Sequence, residues 1–234
     1  MFVAGVDGCK GGWVAVFRHA RTGRSFARFA ETIAEIVDAP EQPAWVAIDM
    51  PMGFADDAKP GGRDCEKAAR AILGPAGRAS CVFSAPCRGA LAAKDYPAAN
   101  ARNRKAAGVG LSKQAWNLCP KMREIDALLR ARSDAPIFES HPELCFARLA
   151  GEPLRAAKKT AEGRAQRLAL LAKEGFGELP EWLVLFPRKF VAPDDVIDAA
   201  VVCLTALRRA KGTAECLPAQ APQDRYGIEM AIWR

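Results

Sequence analysis

Histidine is nearly absent from this chain: only His19 and His141 occur among 234 residues. Eight cysteines are present, but they are scattered and none forms a CxxC pair. Neither histidine stands at zinc-ligand spacing from a cysteine, which argues against a zinc site. Dispersed thiols read as reduced cysteines of a cytoplasmic protein rather than a disulfide frame. No uninterrupted apolar run approaches the roughly 20 residues of a membrane helix, so no membrane partner is expected. The N-terminus is apolar only over residues 1–6 before it meets Asp7, which does not read as a signal peptide. Internal repeats and low-complexity segments are also missing.

What is present is the composition of an ordinary globular protein, half hydrophobic and about a quarter charged. The length suits one sizeable core with room for an insertion. A net charge of +7 permits a polyanionic partner. Basic clusters at Arg102, Arg104 and Lys105, at Arg155, Lys158 and Lys159, and at Arg208, Arg209 and Lys211 suit phosphate contacts. Each reads more simply as a solvated helix face.

The pattern along the chain is α/β. Residues 2–6 and 13–17 read as strands joined by a turn that Gly8, Gly11 and Gly12 loosen. Residues 25–29 alternate as a third strand, and Thr32 caps a short helix over 33–37. Residues 44–48 form a compact apolar strand, broken at once by Pro51 and Gly53. From about 54 to 134 the character becomes mainly helical, over 63–73, 96–105 and 120–132. No linker flanks this block, so it reads as an insertion within a single domain spanning 1–234. Residues 136–139 form a further strand. Ser140-His141-Pro142-Glu143 then reads as a capping box. Helices follow over 160–173 and, opened by Asp194 as N-cap, over 195–209. The alternating tail 226–233 reads as an edge strand.

One signal repeats: an apolar strand followed by an acid. Asp7, Asp49 and Glu139 each close such a run, and ligands of open α/β sheets bind at the carboxyl ends of strands. Asp195 and Asp198, three apart, share one side of the last helix. Clustered carboxylates raise one another's pKa, a conflict that bound Mg²⁺ or Mn²⁺ resolves through oxygen ligands. Each acid also has a local explanation, as a turn former or cap; together they point to a metal site.

With these acids in place, the chain resembles the family of predicted RNase H-like nucleases called domain of unknown function 429. The resemblance spans nearly the whole chain. It rests on Gly5-Val6-Asp7-Gly8-Cys9-Lys10-Gly11-Gly12-Trp13, Ala47-Ile48-Asp49-Met50-Pro51, Gly62-Arg63-Asp64-Cys65 and Val82-Phe83-Ser84-Ala85-Pro86. It continues through Gly110-Leu111-Ser112-Lys113-Gln114-Ala115-Trp116, Pro120-Lys121-Met122-Arg123-Glu124, Glu139-Ser140-His141-Pro142-Glu143, Lys158-Lys159-Thr160 and Asp194-Asp195-Val196-Ile197-Asp198. It implies an RNase H-like mixed central sheet flanked by helices, and a nuclease activity. The last helix is also similar to that of RuvC-type resolvases, which carry two aspartates three apart. Asp7 matches the first-strand aspartate of that superfamily. Asp49 stands where those enzymes usually carry glutamate, one methylene longer.

The resulting expectation is a Mg²⁺- or Mn²⁺-dependent nuclease of DNA or RNA. Asp7, Asp49 and Asp198 ligate the metal, and Asp195 and Glu139 complete or tune the site. His141 serves as a general base or proton shuttle. Lys10, Arg63, Lys113, Trp116, Lys121 and Lys159 hold the substrate, with Trp116 able to stack on a base. Trp116 reads equally as a core residue, and His141 as part of a capping turn. A homodimer is compatible with the sequence. Two rivals stand beside this reading. One is a phosphotransferase of the actin and sugar-kinase type, with the first-turn glycines against phosphate. The other is a non-catalytic nucleic-acid-binding protein of the same fold.

Overall fold

A computed structural model describes residues 1–57 and 60–234 of the chain. Its centre is a five-stranded sheet in the order β3-β2-β1-β4-β5. Strands β1 (Phe2–Cys9), β2 (Gly12–His19) and β3 (Ser25–Ala30) form an antiparallel meander. Strands β4 (Val46–Asp49) and β5 (Ile137–Glu139) run parallel to β1. Asp7 therefore lies inside β1, two residues before its end, because Gly8 and Cys9 still pair with Trp13 and Gly12.

Side-chain alternation divides the sheet into two faces. Val3, Cys9, Val14, Val16, Ala47 and Phe138 belong to one core. That core is covered by α6 (Pro142–Ala150), α7 (Ala161–Lys173), α8 (Leu179–Trp182) and α9 (Pro193–Ala210). Helix α9 crosses β1 so closely that a Cβ at Gly5 would strike the backbone of Ala199 and Cys203. Ala4, Val6, Ala15, Phe17 and Ile48 face the opposite core. There they meet α1 (Ile33–Val37) and the inserted helices α3 (Arg88–Leu91), α4 (Tyr96–Ala107) and α5 (Lys113–Ala131). The insertion also contains α2 (Asp64–Leu73), which packs with part of α6 in a third, smaller core. The insertion thus supplies most of one covering layer of the sheet.

Several local expectations are corrected. Helix α5 begins at Lys113 rather than at Pro120, because Ser112 Oγ accepts the Ala115 N–H and caps it. Pro120 sits in its interior, where its ring removes one helical hydrogen bond. Ser140 does not cap α6: its N–H donates to Ile48 O and its hydroxyl to Trp233 O. His141 takes the N-cap position instead. Asp194 is not the N-cap of α9, which is Ala192; Pro193 opens the helix and Asp195 Oδ2 accepts the Ala192 N–H. The tail is not a strand throughout. A turn at Gly227 (φ +78°), held by Asp224, interrupts it. Within the tail, β7 (Ile232–Trp233) pairs antiparallel to β6 (Cys216–Leu217), and Glu229 makes an isolated bridge to Gln223.

Candidate metal centre

Register and alternation bring three acids together. Asp7 pairs directly with Asp49 on the neighbouring parallel strand. Two residues from Gly5 and from Ala47, both point toward α9. Asp198 is one residue before Ala199, the residue against Gly5, so the helix delivers its carboxylate to the same spot. One carboxylate oxygen from each of Asp7, Asp49 and Asp198 lies within 4.8 Å of the other two. Asp7 and Asp198 are buried. Asp198 Oδ1 is enclosed and has no hydrogen-bond partner.

This arrangement strains the ionised state. Burial, and then the charges of Asp49, Asp198 and Asp195, push Asp7 well above the ordinary carboxylate range. Burial pushes Asp49 up to about 7, against the pull of Lys158. Asp198 is likewise pushed up to about 7, by burial first, with Lys158 again opposing. Lys158 Nζ donates to Asp198 Oδ2 at 2.5 Å and lies 4.0 Å from Asp194. One ammonium therefore faces a cluster of carboxylates. The donor set is all oxygen, one buried oxygen is orphaned, and the charge is in deficit. A hard divalent cation fits those three properties.

The acids open into a cleft of about 380 Å³. Its polar walls include Glu143, His141, Arg78, Lys158 and Gln114, and its apolar walls include Met50, Pro51, Val82, Phe83 and Leu118. His141 Nε2 lies 3.4 Å from Cys81 O, while Nδ1 is enclosed without a partner. Burial lowers the His141 pKa, which favours the neutral ring. Two arginines hold Glu143: Arg167 Nη2 donates to both carboxylate oxygens at 2.8 and 2.9 Å, and Arg78 Nη2 donates to Oε1 at 3.4 Å.

Glu139 lines the same cleft, together with Arg63 and Glu66, but stands outside the group of three aspartates. It pairs with Ile48, not with Asp49, and so points to the opposite face of the sheet. There Arg63 binds it through two hydrogen bonds of 2.8 Å, and the Met52 N–H donates to it at 2.7 Å. Arg63 is correspondingly buried, its remaining donors spent on Glu66 and Met52 O. Its contacts are with the protein itself rather than with solvent. Asp195, at the first turn of α9, borders the cleft and acts on Asp7 through charge.

The expected substrate residues are dispersed. Lys10 is exposed on the β1–β2 turn, Lys113 on the first turn of α5, and Lys159 ahead of α7. Trp116 packs near Tyr96 and under Arg123. Lys121 donates to Gly12 O and lies over the Trp13 ring at 4.4 Å. The first-hairpin glycines make room for packing: a Cβ at Gly11 would meet Phe190, and one at Gly12 the backbone of Ala30 and Glu31. Lys158, Glu143 and Arg78 were not legible as site residues. Lys158 and Lys159 are adjacent cations just before the Thr160 cap, and nothing local says which one turns inward.

The model of the family described as protein of unknown function (DUF429) matches residues 5–223, and the chain belongs to that family. Comparison with curated proteins and with solved structures found no match.

Proposed function

We propose that the protein is a divalent-metal-dependent phosphodiesterase acting on DNA or RNA, built on an RNase H-like core. The observation that carries this reading is the convergence of Asp7, Asp49 and Asp198 within 4.8 Å at the carboxyl ends of two parallel strands. The 3-2-1-4-5 strand order supports the fold assignment, with an antiparallel meander, two parallel strands and a helix crossing β1. The family membership over residues 5–223 is consistent with it.

Asp7, Asp49 and Asp198 hold the cation, Mg²⁺ or Mn²⁺, with Asp195 close enough to tune it. A cation bound there would supply charge for phosphoryl oxygens and would make a bound water easier to deprotonate. The protein's own groups provide the rest. His141 lines the cleft, and its Nδ1 has no hydrogen-bond partner among the described residues, so a shift of the ring that exposes Nδ1 would let it accept or return a proton. Arg78 and Lys158 present cations to an anionic substrate. The apolar wall of Pro51, Val82, Phe83 and Leu118 limits water around the acids. Lys10, Lys113 and Lys159 are exposed and available for outlying phosphates.

The test is cleavage of labelled single- and double-stranded DNA and RNA by purified protein with Mn²⁺ or Mg²⁺, against the same preparation of Asp7→Asn. Metal-dependent cleavage that disappears in the variant supports the proposal. Equal cleavage by both proteins, or none with any substrate and metal, overturns it.

A further inference from the structure

We infer that Lys158 is the resident counter-ion of the aspartate centre, and that a divalent cation enters by displacing its ammonium from Asp198. The inference rests on the metal-centre reading above and concerns how that centre is loaded.

Lys158 lies in the segment between α6 and α7, outside the sheet and outside α9. Yet its Nζ reaches across to Asp198 Oδ2 at 2.5 Å, an oxygen on a side chain only 2% exposed. The lysine side chain itself is 37% exposed, so its stem runs from solvent down to the acids. Other buried acids are met by arginine: Glu139 and Glu66 by Arg63, Glu143 by Arg167, Asp126 and Asp224 by Arg88. Arginine binds both oxygens of Glu139 and of Glu143, and one each of Asp126 and Asp224; such planar, buried guanidinium groups are hard to replace. An ammonium is a compact point charge on a flexible stem. Here it satisfies one oxygen of Asp198 and leaves Oδ1 without a partner. The aspartate centre is therefore balanced by the one kind of cation that can withdraw without breaking the fold.

A cation seated among Asp7, Asp49 and Asp198 competes for the same carboxylate oxygen. Asp198 exchanges an N–H···O contact for a metal–oxygen contact, and the ammonium leaves, still protonated, toward the open cleft. Two cations this close would repel strongly in a partly buried site. Metal affinity in wild-type protein is thus reduced by the work of expelling Lys158. Whatever anionic group then receives the ammonium is coupled to metal binding by linkage.

The experiment is calorimetric titration of Mn²⁺ into wild-type protein, Lys158→Met and, as a distant control, Lys173→Met. Lys158→Met is expected to bind Mn²⁺ roughly tenfold more tightly or better, and Lys173→Met as wild type does. Unchanged or weaker binding by Lys158→Met, with wild type still binding, overturns the inference and leaves the metal centre standing. No binding by wild type or by either variant overturns the metal-centre reading and this inference with it. Because Lys158→Met leaves acidic groups unbalanced, a second measurement uses wild-type protein alone. Amine acylation of Lys158, read by mass spectrometry, is expected to accelerate when Mn²⁺ is added. Labelling that stays constant at saturating Mn²⁺ overturns the inference.

Discussion

Two sets of buried carboxylates lie within one small molecule, and they are treated oppositely. Glu66 and Glu139 share Arg63, Glu143 is gripped by Arg167, and Asp126 and Asp224 share Arg88. These pairs tie segments together: Arg63 joins the insertion to the end of β5, and Arg88 joins α5 to the tail loop. Asp7, Asp49 and Asp198 face one another, and among the described residues Lys158 is the lysine bonded to them. Charge neutralised by arginine is architecture here. Charge left in deficit at the strand ends is capacity for a cation. The difference is decided by whether an arginine reaches the acid: Glu143 borders the same cleft as the aspartates and is nevertheless held by Arg167.

The sharpest way to break that division is to neutralise one member of each set. Asp7→Asn is expected to lower metal-dependent cleavage by about 10³-fold or more, several kcal/mol of transition-state stabilisation. The same variant is expected to unfold no earlier than wild type in chelator, because a like charge has been removed. Cleavage rates and thermal melts check the two halves. Arg63→Ala should do the reverse, costing about 3–5 kcal/mol of stability by stranding Glu66 and Glu139, read as a shift in denaturant midpoint. If Arg63→Ala folds normally, the arginine-held set is not structural and the comparison fails.

A smaller effect is expected from pH. Asp49 and Asp198 are pushed from the ordinary value of 3.8 up to about 7 in the folded state. Between those values the folded protein binds more protons than the unfolded chain. Metal-free stability should therefore fall as pH rises from about 4 to about 7. Saturating Mn²⁺ should flatten that slope, since the ion replaces the protons, and Mn²⁺ affinity should weaken as pH drops below 7. Chemical denaturation across this range, with and without Mn²⁺, checks the sign. The least effect is expected of Asp195→Ala: about 1 kcal/mol from the lost bond to the Ala192 N–H, with Mn²⁺ affinity changed only a few-fold. A loss of affinity as large as that of Asp198→Ala would move Asp195 into the metal-binding set.

Much of this was legible in the chain itself. The strands, the helical stretch between β4 and β5 and the last helix follow from apolar periodicity and from turn residues, whereas the parallel pairing of β1, β4 and β5 does not. Asp7, Asp49 and Asp198 stood out because each meets an apolar run at its end or entry. Glu139 satisfied the same local rule and borders the same cleft, but it lies on the other face of the sheet and is bound by Arg63. Its neighbour Ser140, and not Glu139, continues the face shared by Asp49, since Glu139 pairs with Ile48. A strand of three residues, Ile137–Glu139, is apolar on both faces before its acid, so its pattern carries no record of which side is which.

By itself, then, the amino-acid sequence determined the elements and which acids end them, because periodicity and capping are written over a few neighbouring residues. Only the tertiary structure decided which acids meet, which are neutralised, and that Lys158 rather than Lys159 enters the site. Those outcomes depend on strand register and on side chains arriving from segments far apart in the chain. A one-residue shift in register exchanges the faces, and with them the roles of the acids.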